Sequence, residues 1–100
     1  IFLILGKNSN SKVSSIKFDH IFKNFKNIIS SQYFYEDNIL SIFLYSMNEL
    51  NNNEILKKLN EELELQSLNI KIFRIKKPIK TISGKFKYLI KKEDYKNLLN

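Results

Sequence analysis

The run Lys80-Thr81-Ile82-Ser83-Gly84-Lys85-Phe86-Lys87 holds the residues best placed to do chemistry. A glycine beside a lysine, preceded by small hydroxyl residues and followed by an aromatic, suits a flexible loop. Such a loop presents an ammonium while hydroxyls and backbone amides settle against phosphate or ribose. A solvated surface turn has the same residue types, so on physical grounds alone the run fits both descriptions.

Other constellations fall away. His20 is the only histidine, so no multi-histidine metal site can form, and a single histidine at a helix start serves as a solvated or capping residue. Asp19 and Glu36 carry no paired-carboxylate signature and are assigned to capping and turn formation. Ser14-Ser15 and Ser30-Ser31 lack nucleophile-elbow glycines, and Gly84-Lys85 is followed by Phe86, which excludes a phosphate-binding P-loop. The absence of cysteine removes disulfides, thiolate metal sites and thiol nucleophiles, and is compatible with a cytoplasmic location, the one we expect.

The apolar run at residues 1–5 is far shorter than the roughly 20 residues that span a bilayer, so no membrane or export segment is expected. A strand-like run at residue 1 without an initiator Met leads us to expect that the chain begins inside a larger protein. One hundred residues make one domain with one modest core, too little for a two-domain enzyme. At 43% hydrophobic and 13% aromatic residues the chain has the apolar material to fold.

The formal net charge is +7, carried almost wholly by lysine, with Arg74 the only arginine. Residues 65–92 contain no Asp or Glu, while Lys71, Arg74, Lys76, Lys77, Lys80, Lys85, Lys87, Lys91 and Lys92 are all cationic. That block should face an anion: a phosphate-bearing ligand, an acidic protein or nucleic acid.

The elements that must position these residues follow from periodicity. Residues 1–5 and 12–18 are expected as strands separated by a polar turn. Asp19 then caps a helix in which Ile21, Phe22, Phe25, Ile28 and Ile29 form one apolar stripe. Tyr33-Phe34-Tyr35 and residues 39–45 flank the polar turn Glu36-Asp37-Asn38 as a hairpin. Asn51, Asn52 and Asn53 supply a loop and cap for a second helix, buried through Ile55, Leu56, Leu59 and Leu63 with a solvated Glu/Lys face. Residues 69–75 alternate as a strand, Pro78 and Gly84 bracket a loop, residues 86–90 are extended or irregular, and residues 93–99 form a last helix. The order β-β-α-β-β-α-β-loop-α predicts an α+β fold, a small two-layer sandwich with helices packed on a short sheet.

Thr81, Ser83, Gly84 and Lys85 resemble the P-[RK]-T-x-[SN]-G-K loop that ends the C-terminal domain of the adenylate-forming (AMP-binding) ligase superfamily. Acyl-CoA synthetases, amino-acid adenylation domains, D-alanine-carrier ligases and luciferases belong to it. A second likeness stands at the other end, where Ile4-Leu5-Gly6-Lys7 and Lys12-Val13-Ser14-Ser15-Ile16-Lys17-Phe18-Asp19 resemble the family's strand, Gly-Arg hinge and K-[IV]-x-G-x-R-[IV]-E. The elements between also follow the family's order, so the likeness covers nearly the whole chain. Lys7 and Lys17 stand where the family has arginine, Ser9 where it has the hinge Asp, Ser15 where it has Gly, and Ile79 where it has Pro, with Pro78 one place earlier. Lysine keeps the charge without the planar fork that grips phosphate or a diol.

The resemblance implies a lid domain over residues 1–100, with a hinge at 6–11 and a catalytic-lysine loop at 78–87. It implies a partner N-terminal adenylation domain that binds ATP, Mg²⁺ and a carboxylic or amino acid. Lys85 would be catalytic, with Thr81, Ser83 and Gly84 against the nucleotide; Gly6, Lys7 and Ser9 would form the hinge and touch ribose or phosphate. Ser14, Ser15 and Lys17 would face the acceptor thiol of CoA or of a carrier protein's phosphopantetheine. Lys17-Phe18-Asp19 is closer to the members that use a carrier protein. Two other functions fit the charge: a stand-alone basic module binding nucleic acid or an acidic protein, and a decayed lid that only makes contacts. Nucleic acid is the less needed of these partners, since Phe73, Phe86 and Tyr88 are few aromatics for base stacking.

Overall fold

A computed structural model of the chain describes residues 2–5, 11–37, 39–63 and 69–96, with side chains over 17–37, 39–62 and 69–94. It is a small α+β fold. Strands β1 (Phe2–Leu5) and β2 (Ser11–Ser14) pair antiparallel as a sheet of their own. Helix α1 (Ser15–Phe22) follows β2 directly. Strands β3 (Ile28–Glu36) and β4 (Ile39–Ser46) form an antiparallel hairpin. Helix α2 (Asn52–Leu63) then crosses to β5 (Asn69–Ile75), which lies parallel to β4, and helix α3 (Lys92–Lys96) comes last. The main sheet has the order β3-β4-β5.

The hairpin turn stands where the polar residues foretell it. Glu36 pairs with Ile39, and Asp37 takes a left-handed backbone (φ 53°), which a short polar side chain tolerates. Helix α2 is capped as its sequence suggests: the Glu54 amide donates to the Asn51 side-chain oxygen at 3.2 Å. The parallel pairing of β4 and β5 makes the β4-α2-β5 stretch a crossover unit.

The first helix departs from its expected place. It begins at Ser15 rather than after Asp19, so residues 15–18 are helical and the second strand stops at Ser14. Asp19 therefore sits inside the helix instead of capping it, and His20 lies in its last turn. Beyond Phe22 the amides of Asn24 and Phe25 donate three residues back, to Ile21 and Phe22, so the helix tightens and ends. Asn24 and Asn27 are weak helix formers, and Ile28 and Ile29 are drawn into β3, where sheet pairing outweighs the helical stripe. The register with β4 slips between Ile28 and Ser30, a bulge that leaves Ile29 exposed rather than in the core.

Both faces of the main sheet are used, and differently. On one face, Tyr33 of β3 and Leu40, Ile42 and Leu44 of β4 meet Phe18, Ile21 and Phe22 of α1 and Ile55 and Leu59 of α2. Phe18 packs on Tyr33 at 4.8 Å between ring centroids, so α1 is held by aromatic contact as well as by area. The opposite face carries a smaller cluster of Phe43, Ile75, Ile79 and Ile90, formed as the chain after β5 folds back.

Candidate functional site

The pairing register lays out that second face row by row. Phe34, Ser41 and Lys71 stand abreast, then Gln32, Phe43 and Phe73, then Ser30, Tyr45 and Ile75. Phe43 and Phe73 stack at 5.2 Å. After Ile75 the chain brings Ile79 down beside Phe43 and Ile75. It then runs out and back as a hairpin, in which Lys80 pairs with Phe86, and returns alongside β3. There the Tyr33 amide donates to the Tyr88 carbonyl at 2.7 Å and the Ile90 amide to the Tyr33 carbonyl at 2.9 Å.

The 81–85 loop is the tip of this hairpin. The Thr81 amide donates to the Lys85 carbonyl and the Gly84 amide to the Thr81 carbonyl, both at 2.8 Å. Gly84 has φ 84°, and a methyl group placed there would meet nothing within 4 Å, so the backbone angle rather than crowding calls for glycine. A three-residue turn closed by a left-handed residue is a standard hairpin connection. The Thr81 hydroxyl accepts from the Lys85 amide at 3.1 Å and shares a hydrogen bond with the Ser83 hydroxyl at 3.0 Å. Thr81, Ser83 and Gly84 thus build the turn. Lys85 and, at the tip, Ile82 (76% exposed) are what it offers to solvent.

Gln32, which sequence reasoning passed over, joins this hairpin to the sheet. Its side chain is fully buried. The Gln32 side-chain oxygen accepts from the Ile79 amide at 2.9 Å, and its nitrogen donates to the Ile79 carbonyl at 2.7 Å and the Lys87 carbonyl at 2.9 Å. A glutamine inside a strand looks outward-facing in sequence; only the return of residues 79 and 87 onto the sheet reveals the partners.

The cations of residues 65–92 are all exposed, and they are spread over both edges of the main sheet and the hairpin. Lys71 and Arg74 lie on β5, one edge strand of the main sheet, while Lys87, Lys91 and Lys92 flank residues 88–90 beside β3, at the other edge. The Arg74 guanidinium donates to the Ser46 and Met47 carbonyls at 3.1 and 2.7 Å, tying the end of β4. Lys80 and Lys85 stand on the hairpin between.

Of the other expected site residues, Ser14 ends β2, Ser15 opens α1 and Lys17 is exposed on that helix, so these belong to a strand-helix junction separate from the hairpin. Gly6, Lys7 and Ser9, with most of the 6–11 hinge, lie outside the described residues. Beside α1, the Ser31 hydroxyl donates to the Asp19 carboxylate at 3.3 Å and bonds the Tyr33 hydroxyl at 2.7 Å. Burial pushes the Tyr33 phenol well above its usual range, with the Asp19 charge adding to the rise and the Ser31 bond opposing it.

A groove of about 390 Å³ occupies the part of the second face that the returning chain leaves open, walled by Phe34, Ile39, Phe43 and Phe73 with Lys71 and Glu36 at its sides. Among the described residues no three His, Asp or Glu side chains converge as metal ligands. No helix among them is long and apolar enough to cross a membrane. No family model, curated protein or solved structure matches the chain.

Proposed function

We propose that this chain is the C-terminal lid of an AMP-forming ligase that activates a carboxylic or amino acid as its acyl-adenylate and passes it to a thiol. The observation that carries this reading is the hairpin: a turn bonded to itself, with Gly84 at φ 84°, that leaves Lys85 exposed on an arm bearing no carboxylate. The order of elements supports it too. A two-stranded sheet leads through a helix into a β-hairpin, a crossover helix and a strand before the lysine loop, as the resemblance implies.

In the first step the substrate carboxylate attacks the α-phosphorus of ATP; the new oxygen-phosphorus bond forms as the bond to pyrophosphate breaks, and pyrophosphate leaves with the electron pair. Negative charge is concentrated around the α-phosphoryl oxygens, and an ammonium held beside them lowers the barrier. Lys85 supplies that ammonium. The resemblance assigns Mg²⁺ to the adenylation domain. In the second step, as the resemblance implies, the lid turns about a hinge at 6–11 that includes Gly6, Lys7 and Ser9. Lys85 then withdraws, and the junction at Ser14, Ser15 and Lys17 admits the thiol of a carrier protein's phosphopantetheine or of CoA. Such an enzyme works in the cytoplasm, where ATP is supplied.

ATP-pyrophosphate exchange by the full-length protein tests this. Lys85→Ala should lower the exchange rate about 10²- to 10³-fold, the scale of losing one preorganised charge partner of a transition state. Full exchange activity in that variant sinks the role given to Lys85. A basic module for nucleic acid is less well supported, because its cations are divided between both edges of the sheet.

A further inference from the structure

We infer that Gln32 is the positioning residue of the hairpin, a buried side-chain latch that fixes where Lys85 is presented. The inference rests on the role proposed for Lys85. Its geometric half stands on the hydrogen bonds alone.

A primary amide offers an acceptor on one atom and two donors on the other, and Gln32 uses both kinds. Toward Ile79 it accepts from the amide and donates to the carbonyl, as a neighbouring strand would. Its remaining N–H reaches the Lys87 carbonyl on the returning leg. One side chain therefore grips both legs where the hairpin leaves the sheet, at residues 79 and 87, on either side of the Lys80 and Phe86 pair. The next residue, Tyr33, holds residues 88 and 90 through its backbone, so the returning segment stays paired without Gln32. Losing the latch strands the buried Ile79 amide and carbonyl and the half-buried Lys87 carbonyl and frees the angle of the arm, while the helix-covered core is untouched.

The test uses Gln32→Leu, Gln32→Glu and Lys85→Ala in the full-length protein, with two readouts: amide hydrogen exchange over residues 79–87, and ATP-pyrophosphate exchange. In Gln32→Leu, hairpin amides should exchange at least 10-fold faster while those of β4 and α2 keep their protection. The maximal rate should fall about 10- to 100-fold, the scale of misplacing a reacting group by an ångström. KM for the acid should hold, since it binds the adenylation domain, and KM for ATP, which the hairpin tip also touches, should change by less than the maximal rate.

Gln32→Glu guards against a variant that merely misfolds. Its neutral carboxyl accepts from the Ile79 amide and donates its single O–H to one of the two carbonyls, whereas its carboxylate would face both carbonyl oxygens with no donor. Burial beside two carbonyls raises the carboxyl's affinity for its proton, so relative to wild type at the same pH it should be more protected and more active near pH 5 than near pH 8. Unchanged hairpin protection in Gln32→Leu, or a Gln32→Glu variant indifferent to pH, overturns the latch. Lost protection with an unchanged maximal rate overturns its positioning role. Full activity in Lys85→Ala overturns the reading of the hairpin instead, and the hydrogen-exchange result separates that failure from failure of the latch.

Discussion

The two faces of the main sheet are built to different ends. The helix-covered face is a closed apolar layer drawn from α1, α2, β3 and β4, in which Phe18, Tyr33, Leu40, Ile42, Leu44 and Leu59 are fully buried. The opposite face is closed only in part. Ile79 and Ile90 settle on Phe43 and Ile75, Gln32 supplies the hydrogen bonds, and the rest remains a groove. Dispersion and area burial are cumulative and tolerate no gap, so they suit the first face. A few directional bonds at the base of an arm fix its orientation with little area, and they suit a face from which an exposed hairpin projects. Adjacent residues join the two: Tyr33 points its ring into the helical layer, and Gln32 points its amide toward the hairpin.

The largest effect should come from breaking the closed face. Phe18→Ala removes a ring that is fully buried, stacked on Phe22 and packed on Tyr33, and the cost of such a truncation is about 3 to 5 kcal/mol. Chemical denaturation should show a cooperative loss of that size, shared by every probe in the sheet. Gly84→Ala should be smaller and local. A side chain at φ 84° costs about 1 to 2 kcal/mol, and because nothing crowds the site the penalty is conformational alone. It should appear as faster amide exchange in residues 80–86, with the global transition moved far less than by Phe18→Ala. An equal global shift from both substitutions would mean that the hairpin is not the separable part described here.

How much of this was legible depends on how local each signal was. The turn between Glu36 and Ile39 and the cap at Asn51 are set by neighbours in sequence, and both stand where the polar residues foretell them. Helix α1 was misplaced because Phe25, Ile28 and Ile29 extend the stripe begun at Ile21, although Phe18, Ile21 and Phe22 already make a complete helical face from Ser15. The competing pull on Ile28 comes from β4, more than a dozen residues away, and no helical period reveals it. The same holds more strongly for the candidate site. Thr81, Gly84 and Lys85 announce themselves, since turn chemistry is local, whereas Gln32 finds its partners 47 and 55 residues away.

Tyr33→Phe sharpens the comparison at the seam between the faces. At neutral pH it removes the hydroxyl bonded to Ser31 and should cost about 1 kcal/mol. The sign of its pH dependence follows from burial, which raises the phenol's affinity for its proton in the folded chain above that in the unfolded one. The neutral phenol's contribution is therefore complete below about pH 10, the ordinary tyrosine value, and is lost as pH climbs beyond it. The deficit of Tyr33→Phe against wild type should narrow in urea titrations above that pH. A deficit that widens would contradict the buried, neutral phenol.

The smallest effect belongs to Ser30, one residue past the bulge. Its hydroxyl is buried with no hydrogen-bond partner among the described residues, although it lines a space of about 210 Å³ shared with Asp19, Lys23 and Tyr88. An unpartnered hydroxyl keeps the cost of leaving water without the return of a bond, so Ser30→Ala should be neutral or raise stability by up to about 1 kcal/mol. Ser31, its neighbour, gives the contrast, because its hydroxyl links Tyr33 to Asp19 and its removal should destabilise. A loss of more than about 1 kcal/mol in Ser30→Ala would show that the hydroxyl is satisfied, most simply by water held in that space. The margin beside β3 would then be a wet polar seam, and the tightly packed layer would end at Phe22 and Tyr33.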